Sequence, residues 1–138
     1  MVKACVRWAG HRQFIGIGEN SGHAIVMDMA EDKGGENTGL RMTELLMISI
    51  AGCTAVDIHN ILTKMKVKLQ RCEVQIEGTQ QESYPKYFHK IHLKYILSGE
   101  GLDMKKAQKA VSLSMDKYCS VSQTVKGRAE FEIKIEIV

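Results

Sequence analysis

The sequence predicts an α+β fold on three observations. Segments that alternate apolar and polar residues recur near the start, middle and end of the chain, two stretches keep helical spacing, and the order is strands, helix, strands, helix, strand. The 138 residues read as one domain: N-terminal strands in about 1–30, a loop in about 31–40, a central helix in about 43–66, and strands with a second helix in about 67–138.

Each element has a local reason. Val2, Ala4, Val6 and Trp8 share one side of a period-two segment and Lys3, Cys5 and Arg7 the other, which describes a half-buried strand with Cys5 on its polar face. Segments 14–18 and 23–29 flank Glu19, Asn20, Ser21 and Gly22, a hairpin turn, so the sheet begins as an antiparallel meander. Residues 31–39, polar and glycine-rich, read as an exposed, mobile loop. The central helix is expected to take Thr43 as N-cap, with Met42 and Met47 as a hydrophobic staple, and to run to about Lys66.

From Leu45 to Val56 that helix is almost wholly apolar or small, which implies burial on more than one side. One sheet covers one face of a helix. The second face therefore calls for the equivalent helix of a second subunit, and an obligate dimer is expected. Two strands follow, one with Cys72, Val74 and Ile76 facing the core and one over 88–97, joined by a polar loop that carries Pro85. Asp103 caps a second helix whose apolar positions, Met104, Ala107, Val111, Met115 and Tyr118, place Cys119 at its C-terminal end. Phe131, Ile133, Ile135 and Ile137 alternate with charged residues in a last strand that buries one face.

Composition narrows the function classes. The net charge is +3 and the basic residues are spread along the chain, without a basic block interleaved with aromatics, so nucleic acid is not an expected partner. No run of eighteen apolar residues occurs and the start alternates like a strand, so neither a membrane nor a secretory route is expected, and the location is expected to be cytoplasmic. Four cysteines in such a chain should be reduced at rest, and a disulfide among them would be transient and functional. His11, His23, His59, His89 and His92 are scattered without close Cys or His partners, so neither a metal nor another cofactor is expected. His59 is six residues beyond Cys53 and turned away from it on the helix, which disfavours a Cys–His nucleophilic pair.

Cys53, inside the apolar helix, and Cys119, at the end of the next, stand in contrasting settings, and two readings are open for each: a small buried hydrophobe or a reactive thiol. Cys5 and Cys72 read as structural.

The segment ending in Ala51-Gly52-Cys53-Thr54-Ala55-Val56-Asp57, the segment 84–92 (YPKYFHKIH) and the segment 117–122 (KYCSVS) together resemble the OsmC/Ohr superfamily of osmotically induced and organic-hydroperoxide-resistance proteins, most nearly its YhfA-like branch. The resemblance covers nearly the whole chain. It implies antiparallel sheets around long central helices in an entwined, swapped homodimer, with active sites at the subunit interface. It also implies a thiol-dependent peroxidase that reduces organic hydroperoxides, with Cys53 as the peroxidatic thiol, Cys119 as the resolving thiol, and an external dithiol of lipoyl type as reductant.

Such chemistry requires a thiolate that becomes a sulfenic acid and is captured by a second thiol before over-oxidation. Cys53 lies about ten residues into its helix, beyond the reach of the helix dipole, and Asp57 one turn on would oppose ionisation unless paired with an arginine. By resemblance the arginine is Arg12 and its carboxylate partner Glu44; Arg12 as a solvated loop residue and Glu44 as a first-turn carboxylate are the plain readings of the same positions. Nine residues at about 100° each set Glu44 opposite Cys53 on one helix, roughly 13 Å along its axis. The alternative function is a non-catalytic relative that binds a small apolar molecule or senses redox state. The eight methionines are core filling first and a lining for such a pocket second.

Overall fold

The computed structural model describes residues 1–138, whose contacts gather into two compact units, Met1–Leu46 and Met47–Val138, with the boundary inside the long helix.

The first unit is a three-stranded antiparallel meander of β1 (Ala4–Gly10), β2 (Gln13–Gly18) and β3 (His23–Met27), in that order. The β1–β2 turn needs His11 at φ 45°, and the Trp8 indole N–H fixes it by donating to the His11 carbonyl at 2.9 Å. Val6 and Trp8, 60% and 69% exposed, correct the expectation of a half-buried β1: within the chain its apolar face has no cover.

Residues 31–39 fold around one carboxylate rather than forming a loose loop. Asp28, 2% exposed, accepts the amides of Met29 (2.7 Å), Glu36 (3.2 Å) and Thr38 (3.0 Å) and the Thr38 hydroxyl (2.6 Å). Those bonds, the Thr38 hydroxyl first, hold its pKa down to about 2 against the opposing effect of burial. A single turn of 3₁₀ helix, Glu31–Lys33, opens the loop, and Gly35 packs so close that a Cβ there would lie 2.1 Å from the Met29 carbonyl oxygen.

Helix α1 spans Met42–Lys64. Thr43 is not its cap. Arg41 holds that place: its carbonyl accepts the Leu45 amide at 3.0 Å, and its own amide donates to Glu44 Oε2 at 2.8 Å. At the other end the helix stops two residues short of expectation, because Lys66 turns the chain at φ 60°.

In the second unit α1 packs with a sheet ordered β4 (Lys68–Gln80), β5 (Phe88–Glu100), β6 (Glu130–Ile137). Met47, Ile50, Ala51, Thr54, Ile58 and Leu62 form the buried face of the helix. Ile50, Ile58 and Leu62 are wholly buried, each contributing about 1.5–3 kcal/mol relative to exposure. The length of α1 and its mean hydropathy of 1.6 over eighteen residues match those of a membrane span, and 33% of that window is buried within the chain. From the central strand β5, Ile91, Leu93, Tyr95 and Leu97 fill the core. β4 and β5 pair antiparallel, but β5 and β6 run parallel, which corrects the all-antiparallel expectation. The return from β5 to β6 passes through helical elements, as a parallel pair requires.

Candidate active site

Cys53 and Asp57 are four residues apart on α1 and so share a flank of the helix. With Thr54 and Ile58 near the middle of the buried face and Ile50 at its edge, 100° per residue puts that flank between the core and a stripe made by Ile48, Gly52 and Val56. Ile48 and Val56 are 51% and 61% exposed, and a Cβ added to Gly52 would meet nothing within 4 Å. Cys53 and Asp57 are accordingly half-buried.

Cys119 arrives by a local irregularity. Helix α2 (Met104–Leu113), capped by Asp103 as expected, widens into a π turn over Ser114–Tyr118, closed by the Cys119 amide donating to the Ser114 carbonyl at 2.8 Å. The Gln123 side-chain amide takes up the Met115 carbonyl. Cys119 itself is extended (φ −70°, ψ 96°) and begins a short helix α3 (Ser120–Val125). Its sulfur accepts the Ser122 amide at 3.4 Å, and the Ser122 hydroxyl donates to its carbonyl at 3.0 Å. Cys119 therefore stands at the C-terminal end of the continuous α2–π segment, as its spacing predicts, and at the same time caps α3. Burial still pushes its thiol pKa up; the Ser122 bonds oppose this, and the neighbouring Cys53 adds to it.

These two routes bring three donors together: Cys53 Sγ, Cys119 Sγ and an Asp57 carboxylate oxygen all lie within 4.8 Å of one another. Asp57 takes a hydroxyl as partner where the sequence suggested an arginine. Ser114 Oγ lies 2.9 Å from Asp57 Oδ2 and 2.9 Å from Thr54 Oγ1, which is 3.0 Å from the Tyr95 hydroxyl. A serine has one proton to give. If that proton goes to Asp57, Thr54 donates to Ser114 and Tyr95 to Thr54, so the chain runs Tyr95 to Thr54 to Ser114 to Asp57. Tyr95, Thr54 and Ser114 are fully buried. Burial pushes the Tyr95 phenol up to about 12, opposed by the bond to Thr54 and reinforced by the nearby acidic groups Cys119, Cys72 and Asp57, so it stays a neutral donor.

The other expected site residues have different surroundings. Glu44, on the exposed first turn of α1, is bound to the Arg41 amide. Arg12, an exposed turn residue, lays its guanidinium over Gly34, whose added Cβ would lie 3.1 Å from Arg12 Nε. Beside them Arg41, which sequence reasoning passed over, donates to the Gly39 carbonyl (2.8 Å) and Asn37 Oδ1 (2.7 Å). Cys72 is half-buried on β4 and its pKa is raised by burial, in keeping with a packing role. Cys5 is half-buried on β1. Ser114, Thr54 and Tyr95 were not foreseen; a serine in the apolar stripe that continues from α2 is the one signal that pointed to a polar partner there.

Comparison with known proteins gives this arrangement a family context. Protein YhfA of Escherichia coli strain K12 is 31% identical over 137 residues, covering 99% of this chain and 98% of that one. The crystal structure of a hypothetical protein from Aquifex aeolicus VF5 superposes with a TM-score of 0.87 at 28% identity, covering 100% and 96% of the two chains. An organic hydroperoxide resistance protein OsmC from Legionella pneumophila shares the fold, with a TM-score of 0.73 at 16% identity over 99% and 96%. Residues 35–134, which include both cysteines and Asp57, match the model of OsmC-like proteins, and with the α+β architecture and the relatives above the chain belongs to the OsmC-like family, on its YhfA-like branch.

Proposed function

We propose that this protein is a cytoplasmic, homodimeric thiol peroxidase that reduces organic hydroperoxides. The observation that carries the reading is the approach of Cys53 Sγ to Cys119 Sγ within 4.8 Å, from elements 66 residues apart in sequence (119 − 53). Cys53 is the half-exposed member and Cys119 the buried one, which suits first attack by Cys53 and resolution by Cys119.

Cys53 sulfur attacks the outer peroxide oxygen; the O–O bond breaks, the thiol proton ends on the departing alkoxide, and Cys53 becomes a sulfenic acid with release of an alcohol. Cys119 sulfur then displaces hydroxide from the sulfenic sulfur, and with the Cys119 proton this leaves as water, giving a disulfide. The sulfurs must close from 4.8 Å or less to about 2.05 Å, a shift that the short α3 segment around Cys119 is suited to supply. An external dithiol, lipoyl-type by family resemblance, returns two electrons and two protons. Arg12 and Glu44 enter the proposal as the candidate cation and its carboxylate partner. A second copy covers the Ile48–Gly52–Val56 stripe and so borders Cys53.

Stopped-flow consumption of an organic hydroperoxide against hydrogen peroxide in wild type, Cys53→Ser and Cys119→Ser tests this. Fast loss of the organic peroxide that requires Cys53, with over-oxidation of Cys53 when Cys119 is removed, is expected. Slow consumption indifferent to both substitutions would leave a binding or redox-sensing member of the family.

A further inference from the structure

We propose that the reduced Cys53–Asp57–Cys119 cluster is a binding site for a thiophilic divalent cation of the Zn²⁺ class. The expectation of no metal rested on scattered histidines; the donors that converge are two thiols and a carboxylate, contributed by α1 and by the segment that opens α3. All three ligand atoms lie within 4.8 Å of one another. A tetrahedral Zn²⁺ with Zn–S of about 2.3 Å and Zn–O of about 2.0 Å holds its donors roughly 3.5–3.8 Å apart, so the site closes on the ion through side-chain movements of about an ångström.

Four further features favour a metal. Two sulfurs and one oxygen select Zn²⁺ or Co²⁺ over Mg²⁺ or Ca²⁺. Asp57 has no cation partner within the chain, since none of the chain's ion pairs involves this residue. A divalent ion supplies the charge that two thiolates and a carboxylate lack. The outer shell is in place: Ser114 Oγ holds Asp57 at 2.9 Å and the Ser122 amide donates to Cys119 Sγ at 3.4 Å. Cys53 and Asp57 are half-exposed, which leaves an entry path and a fourth position for water.

Binding displaces the two thiol protons to solvent, and no electron is transferred. The bound state and the disulfide are mutually exclusive because both engage the same two sulfurs. The inference does not depend on the peroxidase reading, and its test uses no peroxide.

The experiment is an anaerobic titration of the reduced full-length protein with Co²⁺, read by the thiolate-to-cobalt charge-transfer absorption in the near ultraviolet and by tetrahedral d–d bands, followed by displacement with Zn²⁺. One Co²⁺ per chain with both features is expected, and their loss on forming the disulfide. Cys53→Ser and Cys119→Ser should each weaken binding and reduce the charge-transfer intensity, and Asp57→Asn should weaken binding by at least about tenfold while keeping the two-thiolate absorption. Ser114→Ala should weaken it by about 10–100-fold. Cys5→Ser and Cys72→Ser should leave it unchanged, and circular dichroism reports that each variant is folded. Absence of the charge-transfer band from the reduced wild type, or a band that survives both Cys53→Ser and Cys119→Ser, would overturn the proposal whether or not the protein consumes peroxide.

Discussion

Thr54→Val preserves side-chain shape and deletes the hydroxyl at the centre of the buried chain from Tyr95 to Asp57. The Tyr95 hydroxyl, fully buried and 3.0 Å from Thr54 Oγ1, is left without its acceptor, whereas Ser114 keeps Asp57 at 2.9 Å. One buried donor without a partner costs about 1–3 kcal/mol, and two groups do not lose their bonds because Ser114 retains one. For a chain of this length that corresponds to a fall in Tm of roughly 3–10 °C. Tyr95→Phe combined with Thr54→Val removes both ends of the lost bond. The double variant should be no less stable than Thr54→Val, so the two effects should depart from additivity by about 1 kcal/mol or more. Urea unfolding at a fixed protein concentration measures this, since the proposed dimer makes stability depend on concentration. Thr54→Val as stable as wild type, or strict additivity in the double variant, would refute the network.

Further outcomes follow from single sites. Asp28 ionises near 2 in the folded protein and near the ordinary carboxylate value when unfolded, so its contribution to stability is complete above about pH 4 and is lost as the pH falls towards 2. Proteolysis of residues 31–39 should accelerate over that window, and Asp28→Ala should produce the same sensitivity at neutral pH; a loop equally resistant in the variant would contradict the grip described. The Cys119 thiol, raised by burial, should be alkylated slowly in native Cys53→Ser protein at neutral pH and faster only above the ordinary thiol range, as read by intact mass. If the proposed dimer forms through the exposed stripe of α1, wild type should elute as a dimer and Val56→Lys as a folded monomer in light scattering coupled to size exclusion; a monomeric wild type, or an unchanged mass in the variant, would contradict that interface.

What the sequence made legible was local. Alternation located the strands of the meander, β4, β5 and β6, and the apolar run located α1, because these depend on near neighbours. The cap of α1 was misassigned by two residues because Thr43 is a good capping residue; the Glu44 side chain bonded to the Arg41 amide decided the outcome. Cys119 lies at a helix end, as spacing that continues through Tyr118 predicts, but the π turn that inserts one residue there and the short helix α3 that follows leave no mark in such spacing. Asp57 and Ser114 are 57 residues apart, so their bond, and with it the carboxylate's hydroxyl partner, depended on how α2 returns across the sheet. The parallel pairing of β6 depended on that same return. The two cysteines were singled out from their motifs, and the geometry that joins them to Asp57 came only with the fold.

The most direct measurement is peptide mapping by mass spectrometry after one equivalent of an organic hydroperoxide is added to the fully reduced protein. A Cys53–Cys119 cross-link is expected as the dominant product, reversed by a dithiol, with Cys5 and Cys72 still free. Sulfinic acid at Cys53 with Cys119 untouched, or oxidation spread over all four cysteines, would contradict it.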